Sequence, residues 1–315
     1  MRNKLCTKGF VLNCVIGIFS ILLCFIVSEI YFRFCHIHTD GFGLSLACKH
    51  WFKKYYKPLN SFGYRDREWT KDDLKNKSIV LIVGDSLVAG EGIENVSDRF
   101  SDILVNKLGA KYAVINVSEC GLDTGEEIQH FRNFPYKADL IIWSYYPNDI
   151  EGANFKEDYS FSNIDPPKNI DWLVSSSYFV NYIYWKLTKW KIINSKKNYL
   201  IWLKEQFDDP SVWKNHKQEL EEIYKLCEAQ NSKLLVVLFP ILSHIPESQA
   251  MLVKINKVFN ALNVPVLDIS KLISDVKKKE LVVSDDDPHP SKKLHKIVAE
   301  NLYPLVIKSL KGDSK

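Results

Sequence analysis

Ser78-Ile-Val-Leu-Ile-Val-Gly-Asp-Ser-Leu87 is the stretch on which the reading of the fold turns. Its β-branched, apolar run, 79–83, predicts a buried central strand, and Gly84 ends it. Asp85 and Ser86 then fall just past the strand's carboxyl end, where open α/β sheets place their ligand sites. A serine there is presented by a backbone that the strand holds rigid. Four residues of this kind also make a plain strand-ending turn, so partners further along the chain decide between turn and site.

Outward from this strand, strand patterns at 112–117, 138–144, 233–239 and 264–269 alternate with helical spacings at 97–108, 124–134, 211–230, 247–262 and 291–310. That alternation predicts a parallel sheet covered on both faces. At 315 residues, 46% hydrophobic and 25% charged, the chain has the length and composition for a substantial core. A net charge of +4 over this length predicts no nucleic-acid footprint. The expected organisation is a tip and membrane anchor at 1–35, a connector at 36–77 and one large domain at 78–315.

No residue from Gly9 to Ser28 is charged, and these twenty residues in a helix match the hydrocarbon thickness of a bilayer. The bilayer is therefore an expected partner through residues 9–28. Arg2, Lys4 and Lys8 precede the run, whereas Glu29, Arg33 and Asp40 follow it. The positive-inside bias then predicts a cytoplasmic amino end and an extracytoplasmic body, periplasmic in a bacterium. A cleaved signal peptide is the rival reading; it calls for a shorter apolar run and a small-x-small site, which the sequence around Ser28 lacks. Seven cysteines form no framework; Cys35 and Cys48 are open to pairing only if their side of the membrane is oxidising. Cys35-His36-Ile-His38 has metal-donor types without a second cluster, so no metal is expected.

Residues 151–213 interrupt the alternation and hold fourteen aromatics, among them Trp172, Tyr178, Phe179, Tyr182, Trp185 and Trp190. The part from 176 to 190 is apolar nearly all round, with Lys186, Lys189 and Lys191 toward its end. Three readings stand: a helical hairpin packed on the core, aromatic faces stacking on sugar rings beside the site, or a helix lying on the membrane interface near the anchor.

Three more polar clusters sit at strand ends or before the last helix: Asn116-Val-Ser-Glu-Cys-Gly121, Tyr145-Tyr-Pro-Asn-Asp149 and Asp286-Asp-Pro-His289. These residue types suit acyl transfer. A serine hydroxyl is a poor nucleophile until a base takes its proton, and His289 is the candidate base for Ser86. Asp286, three residues before it, is the candidate to hold the other imidazole nitrogen. The N–H groups of Ser86 and Gly121 and the Asn148 side-chain amide are candidates to bind an oxyanion. Asp85, Tyr146 and Asp149 are expected in the substrate pocket.

Together these blocks resemble the SGNH/GDSL hydrolase family, named for its Ser, Gly, Asn and His. Gly84-Asp-Ser-Leu87 is similar to the first block, and Gly121 falls where the second block's glycine belongs. Asn148-Asp149 resembles the third block, and Asp286-x-x-His289 with Pro290-Ser291 the last. The resemblance covers about 78–310 apart from the aromatic insertion. It implies a flavodoxin-like three-layer α/β/α sandwich of about five parallel strands, and esterase, lipase, carbohydrate deacetylase or O-acetyltransferase activity without a metal or organic cofactor. One departure is plain: the third block usually reads Gly-x-Asn-Asp, and here Tyr146 stands at the glycine's place. Its bulk either narrows the pocket or displaces Asn148. The expectation is a membrane-anchored serine esterase acting on O-acyl esters, foremost O-acetyl groups of glycans. The alternatives are an O-acyltransferase for a cell-surface polysaccharide and a non-catalytic glycan-binding or assembly protein.

Overall fold

The computed structural model describes residues 2–154, 166–193 and 199–311. The chain divides into two compact units, one of Met1–Lys53 with Phe161–Ser195 and one of Lys54–Ser160 with Lys196–Lys315.

The second unit is built on five parallel strands: β1 (Ser78–Gly84), β2 (Tyr112–Ser118), β3 (Leu140–Tyr145), β4 (Lys233–Leu238) and β5 (Val266–Asp268). Their order is β2-β1-β3-β4-β5, the flavodoxin-like arrangement that the family resemblance implies. The strands read as near-continuous apolar runs because both faces are covered. On one face Val80, Ile82, Val114 and Ile142 meet Phe100 and Leu104 of helix Phe100–Leu108 and Leu294, Val298 and Leu302 of helix Lys292–Lys311. On the other, Leu81, Val83, Ile115 and Trp143 meet helices Thr124–Asn133, Pro210–Ala229 and Ile245–Ala261. Alternate side chains of each strand thus serve opposite layers. The helix expected from residue 97 begins only at Phe100, because Arg99 is extended and its buried guanidinium reaches back to the Arg65 carbonyl.

Register places the site. Gly84 pairs with Ser118, and Val83 with Trp143, so the carboxyl ends of β2, β1 and β3 finish side by side. Between β1 and β3 the chain's winding reverses, and open sheets of this order leave a crevice at that switch point. Ser86 follows one of those strands and Asn148 the other.

The first unit joins the N-terminal helix to part of the 151–213 stretch. Its N-terminal helix, Arg2–Phe34, includes a stretch, Gly9–Phe34, of 26 residues that is long and apolar enough to cross a membrane. Against this helix packs a hairpin of Lys168–Ser176 and Tyr178–Ile193. The Glu29 carboxylate explains the association. It accepts hydrogen bonds from the Ser177 hydroxyl (2.7 Å) and the backbone N–H groups of Tyr178 (3.1 Å) and Phe179 (3.0 Å), capping the second hairpin helix from another helix. Arg33 donates to Glu29 and to the Ser176 carbonyl, and Phe32 stacks on Tyr182 at 4.4 Å. The hairpin packs on the N-terminal helix within the first unit, while the following helix, Tyr199–Asp208, buries Leu203 and Phe207 in the second unit's core. The connector is likewise divided, its first part belonging to the first unit and its last part to the second. Residues 155–165 and 194–198 of the expected 151–213 insertion lie outside the described residues. Cys35 and Cys48 are not joined to each other in a disulfide, and the His36 ring packs edge-on against Phe32 and Tyr182.

Candidate active site

Ser86 opens a one-turn helix, Ser86–Ala89, directly after β1. Asp85 caps that turn by accepting from the Leu87 N–H at 2.9 Å. As the first helical residue, Ser86 has an N–H with no acceptor inside the turn. Gly84 makes this sharp exit possible: a Cβ there would lie 2.6 Å from Val88 Cγ2 and 2.9 Å from Ser144 Cβ. The turn ends at Gly90 in the left-handed region, φ 72°.

His289 reaches this serine from the other end of the chain. Its Nε2 lies 2.8 Å from Ser86 Oγ, and its Nδ1 lies 2.6 Å from Asp287 Oδ1. Asp286, the expected partner, does not hold the ring. The reason is local backbone geometry. Ser284 and Asp287 exchange backbone hydrogen bonds across a turn, and the Ser284 hydroxyl accepts from the N–H groups of both Asp286 and Asp287. Asp287 Oδ1 then accepts from the N–H of His289 two residues on, at 3.0 Å, an Asx turn that lays the carboxylate beside its own histidine ring. Asp287 is completely buried, as the holder of an imidazole must be to act in low dielectric.

The charge around His289 is one-sided. Burial alone would lower its pKa, but Asp287, Glu91 and then Asp85 overcome this and raise it to about 9. His295, the other histidine of this region, is fully buried and away from the serine; its Nδ1 accepts from the Phe100 N–H at 3.1 Å. Burial, then Arg99, His289 and Arg65 push its pKa down to about 3, which keeps it neutral.

Gly121 and Asn148 arrive on the ends of β2 and β3. Gly121 is left-handed at φ 88°, a conformation that favours glycine, and the place of a Cβ there is open space. Asn148 sits in the short 3₁₀ helix Pro147–Ala153, with Oδ1 enclosed. Asp149 fixes that turn by accepting from the Tyr146 N–H at 2.8 Å, and burial, then Asp85, push its carboxyl well above the usual range. Asp85 and Asp149, both expected in the substrate pocket, are buried, and each accepts a hydrogen bond from a backbone N–H. Tyr146 keeps an extended backbone, φ −127°, which any residue adopts, and its ring packs against both core layers. Its replacement of glycine strains nothing.

Solved G-D-S-L esterases and lipases are similar to this chain. A putative lipolytic protein of the G-D-S-L family from Desulfitobacterium hafniense DCB-2 is 12% identical, with a TM-score of 0.46 over 73% of this chain and 99% of that one. A carbohydrate acetylesterase family member from Sinorhizobium meliloti is 16% identical, with a TM-score of 0.42 over 75% of this chain and 100% of that one. The lipase/acylhydrolase from Enterococcus faecalis is 16% identical, with a TM-score of 0.44 over 73% and 95%. No family model and no curated protein matches the sequence. Likeness at this level leaves the chemistry to the geometry of the site.

That geometry adds residues that the sequence reading passed over. Glu91 is buried with Oε2 3.7 Å from His289 Nε2. Arg65, fully buried, donates to the carbonyls of Gly90 and Ile93 at 2.7 Å and of Ala89 at 3.2 Å, holding the loop that carries Glu91. Cys120, beside Gly121, donates to the Tyr56 hydroxyl at 3.7 Å, and burial, then Glu91, push its thiol well above the ordinary value. The one available signal was Gly90-Glu-Gly92, a carboxylate between two glycines just past the serine. Glu91, Asp287 and His289 also bring three donor atoms within 4.8 Å, a spacing that metal sites use. Both imidazole nitrogens already face protein partners, Nε2 the Ser86 hydroxyl and Nδ1 the Asp287 carboxylate, so the ring is arranged to exchange a proton with the serine while Asp287 holds it.

Proposed function

We propose that this chain is a membrane-anchored serine esterase of the SGNH/GDSL kind, cleaving short O-acyl esters, with the catalytic unit outside the cytoplasm. The observation that carries the reading is the continuous relay of Asp287, His289 and Ser86 at 2.6 and 2.8 Å. Ser86 Oγ attacks the ester carbonyl while His289 Nε2 takes its proton, and Asp287 holds the ring and stabilises the imidazolium. The N–H groups of Ser86 and Gly121 and the Asn148 amide bind the oxyanion; one such donor is typically worth about 2.7–4 kcal/mol. His289 then protonates the leaving alcohol, and water releases the acid.

Enclosure supports a short acyl group. Ser86 is 8% exposed, and the His289 side chain 12%. A long acyl chain needs an open apolar groove, whereas an acetyl group needs only a small recess. For the alcohol we take a carbohydrate hydroxyl first, the class named for the Sinorhizobium meliloti neighbour. The test is turnover of p-nitrophenyl acetate against butyrate and of acetylated oligosaccharides by the full chain in detergent. Acetate hydrolysis abolished by both Ser86→Ala and His289→Ala is the expected result. Activity that survives Ser86→Ala, or none in folded wild type, overturns the reading.

A further inference from the structure

Acylation of a serine needs a base, a holder for that base and oxyanion donors. Glu91 is none of these, yet its Oε2 lies 3.7 Å from the same His289 nitrogen that meets Ser86 Oγ. A carboxylate nearly removed from water beside the reacting atoms is costly to place. The fold places it deliberately. Gly90 and Gly92, at φ 72° and 80°, turn the loop on either side of it. A Cβ on Gly92 would lie 2.5 Å from Val283 Cγ2 and 3.1 Å from Asp287 Oδ2, so the loop closes directly onto the segment carrying Asp287 and His289. From behind, the buried Arg65 guanidinium holds three carbonyls of the same loop.

We propose that Glu91 receives and orients the water that hydrolyses the acyl-enzyme, and thereby commits the site to hydrolysis over transfer to a carbohydrate hydroxyl. The inference rests on the esterase reading above. Once Ser86 Oγ carries the acyl group, its proton has left with the alcohol and Nε2 has lost its partner. Water entering there donates one O–H to Nε2 and the other to Glu91 Oε2, which leaves an oxygen lone pair for the acyl carbon. The new O–C bond forms as one proton moves to Nε2. The tetrahedral intermediate then collapses with cleavage of the Ser86 Oγ–C bond, Nε2 returns its proton to Oγ, and the carboxylic acid departs. Glu91 takes no proton in this step and only accepts a hydrogen bond. A sugar hydroxyl has a single proton. It satisfies Nε2 or Glu91 but not both, and bound to Nε2 it turns a lone pair toward a buried carboxylate. That penalty falls on transfer alone.

The test compares wild type with Glu91→Gln as full chains, using p-nitrophenyl acetate in stopped flow with and without methanol as a small acceptor. Gln is nearly isosteric, and its amide both accepts and donates, so it tolerates an alcohol oxygen. The expected variant releases p-nitrophenol in its acylation phase at a rate within about threefold of the wild-type acylation rate, then shows kcat lower by about tenfold or more as deacylation becomes limiting. Its ratio of methyl acetate to acetate rises several-fold, and Glu91→Asp moves the ratio back toward water. The groups facing His289 are Asp287 at Nδ1, Glu91 and Ser86 at Nε2, and Asp85 and His295 nearby. Both phases are therefore read from about pH 6 to about pH 10, which separates loss of water orientation from a change in the base. Unchanged product partitioning, or an equal fall in acylation rate and turnover, overturns the proposal. Absence of any Ser86-dependent p-nitrophenol release in wild type instead removes the esterase reading beneath it.

Discussion

Asp286 and Asp287 are chemically identical neighbours, so exchanging their amides isolates geometry from chemistry. Asp287→Asn is expected to lower kcat/KM about 10³–10⁴-fold, because the amide favours the wrong tautomer of His289. Asp286→Asn is expected to change it less than about threefold. Steady-state kinetics on the two variants checks both, and equal losses would return the role to Asp286. His289 supplies a second outcome. Its pKa of about 9, raised from 6.5, keeps it protonated at neutral pH, and a protonated imidazole cannot take the Ser86 proton. Activity is therefore expected to climb with pH along a limb centred near 9. Stability runs the opposite way. A raised folded-state pKa contributes stability that is full below 6.5 and is lost as pH rises through about 9. Denaturant midpoints of wild type and His289→Gln, compared at about pH 6 and about pH 10, should converge at the higher value. The sequence carried Ser86, His289, Gly121 and Asn148 as candidates because each follows a strand end or precedes a helix. Asp287 was hidden because spacing does not show which of three consecutive aspartates an Asx turn points inward.

At the scale of elements, the strands and helices of the second unit were legible because each has a single period. The buried runs of β1 and β3 read as strands, and the amphipathic stretches beside them read as helices. The hairpin of Lys168–Ser176 and Tyr178–Ile193 was visible as helices, but not its partner. An all-round apolar helix states that it is buried or in lipid, not against what. What decides is Glu29, a capping carboxylate some 150 residues away, as its 148-residue separation from Ser177 records. Glu29→Ala is expected to weaken the start of Tyr178–Ile193 by about 1 kcal/mol, the usual worth of a cap. Hydrogen exchange would show this as roughly fivefold faster exchange at the Tyr178 and Phe179 amides. Unchanged exchange there would mean that Arg33 and the aromatic contacts of Phe25 and Phe32 hold the hairpin without the cap.

For the whole molecule, the anchor reading makes a physical demand on both chain ends of the apolar helix. The full chain is expected to remain in the membrane after carbonate extraction, with Gly9–Phe34 intact at its start. In sealed bacterial cells, a protease added outside after permeabilising only the outer membrane is expected to cut the catalytic unit while sparing the amino tip. Release by carbonate, or a protected catalytic unit, would refute anchoring or orientation respectively.

The sequence by itself determined the α/β class, the sheet covered on both faces, the long apolar helix and the serine, histidine, glycine and asparagine of the candidate site. These are written in local periodicity and in short blocks at strand ends, which a linear reading samples directly. Only the tertiary structure decided which aspartate holds His289, that Glu91 faces the same nitrogen as Ser86, that Asp85 and Asp149 are buried acceptors of backbone N–H groups, and that the aromatic hairpin lies on the N-terminal helix. Each of those depends on a side chain's direction or on contacts between distant segments, and these are fixed by packing and burial after the elements have met.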